Sequence, residues 1–88
     1  MEFKKGDIVR YRWITLERDV VCRIDDITST PISTMIWLDV HVFSIISNNS
    51  SLINGKKKDE FRLLYDRMNP FMSIYVYKDM DEAMVDML

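Results

Sequence analysis

The run from Met35 to Ile46 constrains this chain more than any other stretch, because its residues separate cleanly by parity. Ile36, Leu38, Val40, Val42 and Ile46 fall on one side of a period-2 ribbon, while Trp37, Asp39, His41 and Phe43 fall on the other. Such a pattern predicts a β-strand with one dry face. Its length and its β-branched and aromatic content suit the middle of a sheet better than an edge. The rest of the chain must then cover that dry face.

With 88 residues the sequence predicts one domain, residues 1–88, with a single modest core. A chain this short buries only roughly 60% of its unfolded surface. An active-site cleft would compete with the core for side chains. No apolar run approaches the ~20 residues needed to span a bilayer, and the first residues carry no apolar leader segment, so no membrane association is expected and a cytoplasmic location is. Cys22 is the only cysteine and His41 the only histidine, which leaves neither an internal disulfide nor a four-ligand Cys/His zinc site within the chain. No metal, cofactor or small-molecule substrate is expected.

Taken in order, Phe3 to Asp7 reads as a turn in which Gly6 can take a positive φ. It leads into a strand over 7–14, where Val9, Tyr11 and Trp13 alternate with Ile8, Arg10 and Arg12. Leu16 to Asp19 reads as a connection. A second strand covers 20–27, with Asp25 and Asp26 marking a bulge where its pattern shifts. Pro31 cannot join a central ladder, so Thr28 to Thr34 reads as a connection into the long strand at 35–46. Residues 47–58 read either as one exposed loop or as a short strand at Ser51–Ile53 with an Asn54-Gly55 hairpin turn. From Asp59 the spacing of Phe61, Leu64, Tyr65 and Met68 predicts a helix over 59–68, ended by Asn69-Pro70. A strand at 71–78 follows, and Asp79 with Glu82 three residues on has the spacing of a capping box for a helix over 80–87. The fold class is therefore α+β: a small, strongly bent antiparallel sheet or barrel carrying two helices.

Three pieces of this sequence support a resemblance: Lys4 to Tyr11, the second strand ending in Cys22 to Ile27, and the third beginning with Ile36 to Val40. Together they resemble the opening of small SH3-like barrels of the Tudor and KOW type, over roughly the first half of the chain. The resemblance implies a bent antiparallel scaffold that binds protein tails or nucleic acid through aromatics and loops. The helix at 59–68 and the acidic tail are additions to its simplest form. Separately, the length and the richness in Ile, Lys, Asn, Asp and Met are similar to those of small accessory proteins of phages; host cytoplasm would then be the location.

The net charge of −2 conceals an asymmetry, since the last ten residues hold Asp79, Asp81, Glu82 and Asp86 and no Lys or Arg. His41 and Cys22 are the only candidates for general-base or nucleophilic chemistry. Cys22 lies within an apolar strand and reads as a small core residue, and His41, on the mixed face of the long strand, reads as a half-buried histidine satisfied by a neighbour, so no enzyme is expected. Two binding surfaces are predicted. The first is a protein-docking surface of Trp37 and Phe43 with the helical stripe Met80, Met84, Met87 and Leu88, because methionine adapts to partners. A domain this small can also bury such a stripe in a homodimer. The alternative is an RNA or single-stranded nucleic-acid surface of Lys56, Lys57, Lys58, Arg10 and Arg12 with Tyr11 and Trp13 as stacking platforms.

Overall fold

A computed structural model describes residues 3–48, 53–54 and 59–88. The chain forms strand β1 (Ile8–Trp13), a single 3-10 turn (Ile14–Leu16), β2 (Arg18–Ser29), β3 (Met35–Asn48), the two-residue β4 (Ile53–Asn54), β5 (Glu60–Asp66), β6 (Met72–Val76) and helix α1 (Met80–Met87). The strands make one antiparallel sheet in the order β4-β5-β3-β2-β1-β6. As its alternation predicts, β3 is central, paired with β2 on one side and β5 on the other.

The helix expected over 59–68 is instead β5. Phe61, Leu64 and Tyr65 satisfy a helical period, yet Phe61, Leu63 and Tyr65 satisfy a strand period equally well, and a short apolar run cannot separate the two by spacing alone. Two structural facts decide for the strand. Asp59 has φ +61, outside the helical region, and every residue from Glu60 to Asp66 pairs with β3. Leu63 is fully buried from this strand, and Phe61 and Tyr65 pack around the same core.

The parity of β3 holds from Ile36 to Val42 and then changes. Ile36, Leu38 and Val40 are buried and Val42 half-buried. Cys22 faces Val42 and Val21 faces Ser44, so Phe43 is an extra residue in β3; a second register shift falls at Ile46. One inserted residue exchanges the two faces of a strand. Beyond the bulge the dry face assigned by simple alternation ends: Ile46 is 40% exposed, and Ile45, which stands opposite the buried Val20, is itself 51% exposed. A third shift falls at Asp25, the bulge expected from the sequence.

The sheet is strongly bent. Only residues 67–71 separate β5 from β6, although these strands lie four strand spacings apart in the sheet order. Flat, that is about 19 Å. The connection contains two consecutive tight turns, closed by Asn69 N–H to Asp66 O (3.1 Å) and Met72 N–H to Asn69 O (3.2 Å). Each turn keeps its ends within about 7 Å, so the two together span no more than about 14 Å. The ends of the sheet must approach one another. Two contacts across the interior agree: the Tyr11 hydroxyl donates to the Leu64 carbonyl at 2.7 Å, and the rings of Phe3 and Tyr65 meet edge-on at 5.6 Å. Among the described residues no ladder joins β5 to β6, so the sheet stays open. The concave side encloses Val9, Tyr11, Val20, Cys22, Ile24, Leu38, Val40 and Leu63, the main core.

Of the two expected helices only α1 is present among the described residues. The Asp79 carboxylate accepts the Glu82 N–H at 2.9 Å, which satisfies a donor that the first turn leaves open, and the Glu82 carboxylate reaches back to accept the Lys78 N–H, just before the cap, at 3.2 Å. Ala83 is fully buried against Val21 and Tyr77, with Ile8 and Met87 around them, so α1 covers the convex face of β1 and β2. Gly6, at φ +95, makes the turn before β1 and donates to the Ile24 carbonyl at 2.7 Å. No described helix is long and apolar enough to cross a membrane.

Candidate functional site

The expected docking residues lie on two elements of the convex surface. On β3, the side of the strand opposite the core carries Trp37, Asp39 and His41. Arg62 of β5 pairs with Asp39 (3.0 Å) and lies 5.5 Å from the centroid of the Trp37 ring. The hydrogen bond to Asp39 raises the pKa of this guanidinium. His41 meets Phe43 edge-on at 5.2 Å. Trp37 and Phe43 are both half-buried.

On α1 the apolar stripe is divided. Met87 turns inward with Ala83 and helps to hold the helix, so it is not part of an open surface. Met80, Met84 and Leu88, four residues apart, lie along the flank next to that inward side and drift away from it towards the C-terminus, with Met84 49% exposed. Val85, which the methionine pattern passed over, is 69% exposed. It was legible in principle: once Ala83 and Met87 define the inner side at i and i+4, Val85 must lie away from it.

Two acidic residues of α1, Glu82 and Asp86, act as tethers. Asp86 accepts a hydrogen bond from the Tyr77 hydroxyl at 2.6 Å and lies 3.6 Å from Arg10, while Glu82 accepts one from the Tyr75 hydroxyl. Arg10 also makes a two-pronged ion pair with Asp19, at 2.9 and 2.7 Å, and Arg12 approaches the same carboxylate at 3.4 Å. Asp19 is buried, so this charge is admitted only because the two guanidinium groups compensate it. The bond to Asp19 raises the Arg10 pKa, against the effect of burial. Burial, and then the bond to Asp86, push the Tyr77 phenol up; at Tyr75 the bond to Glu82 does so first. Sequence reasoning missed this cluster because its members come from β1, β2, β6 and α1.

Among the described residues of the nucleic-acid alternative, the cations and the rings lie on different sides of β1. Arg10 and Arg12 point to the convex side, whereas Tyr11 is fully buried on the concave side, its hydroxyl spent on Leu64 and its pKa raised by burial. A ring held there has no face to offer a base. Trp13 is half-buried, with the guanidinium of Arg18 5.9 Å from its ring. Lys56, Lys57 and Lys58 lie outside the described residues.

Cys22 sits in the core with its thiol pushed up to about 12, chiefly by burial and secondarily by the charge of Asp25, the opposite of what a nucleophile needs. His41 faces Arg23 across one ladder and Glu60 across the other. No cluster of three or more metal-ligating side chains occurs among the described residues. No family model, no curated protein and no solved structure matches this chain.

Proposed function

We propose that this chain is a non-catalytic protein-docking module built on an SH3-like barrel. The bent sheet supports the barrel reading: β5 and β6 are consecutive in the chain, lie at or near opposite ends of the sheet, and are brought close by two tight turns. One observation carries the docking reading. Helix α1 uses Ala83 and Met87 to hold itself on the sheet and leaves Met84, Val85 and Leu88 open to solvent. A helix of eight residues is too short to be stable alone in water, so its tethering by Asp86 and Glu82 fixes an apolar flank in place, ready to meet a partner without further ordering cost.

The test is affinity capture with the intact chain, with and without nuclease, against a Met84→Glu, Val85→Glu double variant. Retained proteins that survive nuclease and are lost with the double variant support docking through α1. Capture that disappears with nuclease and is untouched by the variant supports the nucleic-acid alternative. Equal capture by both chains removes the α1 reading.

A further inference from the structure

The free edge of β6 is a second surface, separate from the α1 flank. Its hydrogen-bonding parity is fixed at both ends: Tyr77 N–H donates to Ile8 O at 2.8 Å, and Ile14 N–H donates to Phe71 O at 2.9 Å. The odd-numbered residues from 71 to 77 thus bond to β1, and the backbone groups of Met72, Ile74 and Val76 point the other way. Met72 N–H is taken by Asn69 O, but among the described residues nothing pairs with the N–H and C=O of Ile74 and Val76. Proteins usually guard such an edge with a charge, a proline or a bulge inside the strand. Met72, Ser73, Ile74, Tyr75 and Val76 include no charge and no proline, and their ladder with β1 has no bulge. Phe71 (52% exposed) and Tyr75 (56% exposed) add apolar surface along the same edge.

We infer that this edge pairs with the same edge of a second copy of the chain, the two β6 strands running antiparallel about a twofold axis at Ile74. The register follows from the parity. Ile74 exchanges both its backbone bonds with its mate. On either side the Val76 N–H of one copy meets the Met72 carbonyl of the other, whose own N–H is already occupied. An uncharged strand meets its copy without like-charge repulsion, and a twofold contact closes on itself.

Side chains on the convex face complement one another across the same axis. Ser73 lies opposite Tyr75 of the second copy, and Arg12 is the β1 neighbour of Ser73. A cleft of about 470 Å³ opens here, lined by Arg10, Arg12, Ser73, Ile74, Tyr75 and Asp86, with room for an entering side chain. Since Ser73 is small, the half-exposed Arg12 guanidinium can reach past it towards the Tyr75 and Glu82 pair of the second copy. The cation meets a ring and an acid, a complementary pair repeated twice.

This inference does not rest on the α1 reading, and its test keeps the two apart. Sedimentation velocity on the full chain over a concentration series is expected to show a monomer–dimer equilibrium. Ile74→Pro removes an N–H that points away from β1, a position where an edge strand tolerates proline. It is expected to weaken dimerisation roughly tenfold or more, with protection of the Cys22 thiol reporting that the fold survives. Tyr75→Lys, on an exposed side chain, places a cation against Arg12 of the second copy and is expected to act alike; it decides the matter if the proline variant fails to fold. Val85→Glu is expected to leave the equilibrium unchanged. A chain that stays monomeric throughout, a dimer that survives Tyr75→Lys, or a dimer lost with Val85→Glu overturns the proposal.

Discussion

The Tyr11 hydroxyl on β1 donates a 2.7 Å hydrogen bond to the Leu64 carbonyl on β5, across a sheet in which β2 and β3 lie between the two strands. In a flat sheet, three strand spacings put these strands about 14 Å apart, beyond the reach of a tyrosine. The bond exists only because the sheet curls, and it fastens the curl from within. Tyr11→Phe keeps the ring and leaves the Leu64 carbonyl without that donor, so a loss of about 1–3 kcal/mol is expected with the fold retained. Urea unfolding with an unchanged m value checks it. A variant as stable as the parent would show that the bond holds nothing.

Cys22 gives the protein an alkaline weakness. In the folded chain the thiol is pushed up to about 12, mainly by burial. An unfolded thiol ionises near its ordinary value of about 8.5. The stabilisation is fully present below that value. As pH rises from about 9 towards 12 the unfolded chain gives up a proton that the folded chain keeps, so stability falls across the window. Tyr11 and Tyr77, both raised, add to the fall from about pH 10 upward. The urea midpoint should therefore decline with rising pH, less steeply at first in Cys22→Ala. An aromatic disulfide reagent should modify Cys22 only at the rate of unfolding; fast modification of the native chain would contradict its burial.

Asp19 joins the two sides of the ion cluster, and Asp19→Asn removes its charge while both guanidinium groups remain. The pair is only partly shielded, with 25% and 12% of the Arg10 and Asp19 side chains exposed, so the cost should be about 2 kcal/mol rather than that of a fully buried pair. Replacing both partners, as Arg10→Met with Asp19→Leu, should recover much of the loss. A double-mutant cycle by chemical denaturation measures the coupling, and strict additivity of the two changes would sink the claim.

Helix α1 has a sharp inside and outside. Ala83→Leu forces extra volume against Val21 and Tyr77 and should cost about 1–3 kcal/mol. Val85→Glu, on the open side, should stay within about 0.5 kcal/mol. Asp79→Ala removes the cap that holds Glu82 N–H and should cost about 1 kcal/mol. Thermal unfolding followed by circular dichroism ranks the three, and a Val85→Glu effect as large as that of Ala83→Leu would mean the helix is turned the other way.

Local chemistry alone determined much of this protein. The alternation of Ile36, Leu38 and Val40 made β3 a strand with a dry face; Asp79 and Glu82 set the start of α1; Gly6 and Asp25 marked a positive φ and a bulge. Each of these depends on residues adjacent in the chain. Tertiary structure decided the rest. Glu60 to Asp66 carries apolar residues at both periods, and only pairing with β3 made it a strand. The bulge at Phe43 shifted the register beyond it, and the dry face of β3 ends there, with Ile45 and Ile46 both exposed. Arg10, Asp19, Tyr77 and Asp86 come from β1, β2, the residue after β6 and α1, and among the described residues β6 pairs only with β1, which leaves its other edge open. Side-chain periodicity fixes what a segment can become, but a ladder's partners, and therefore its open edges, belong to the whole chain.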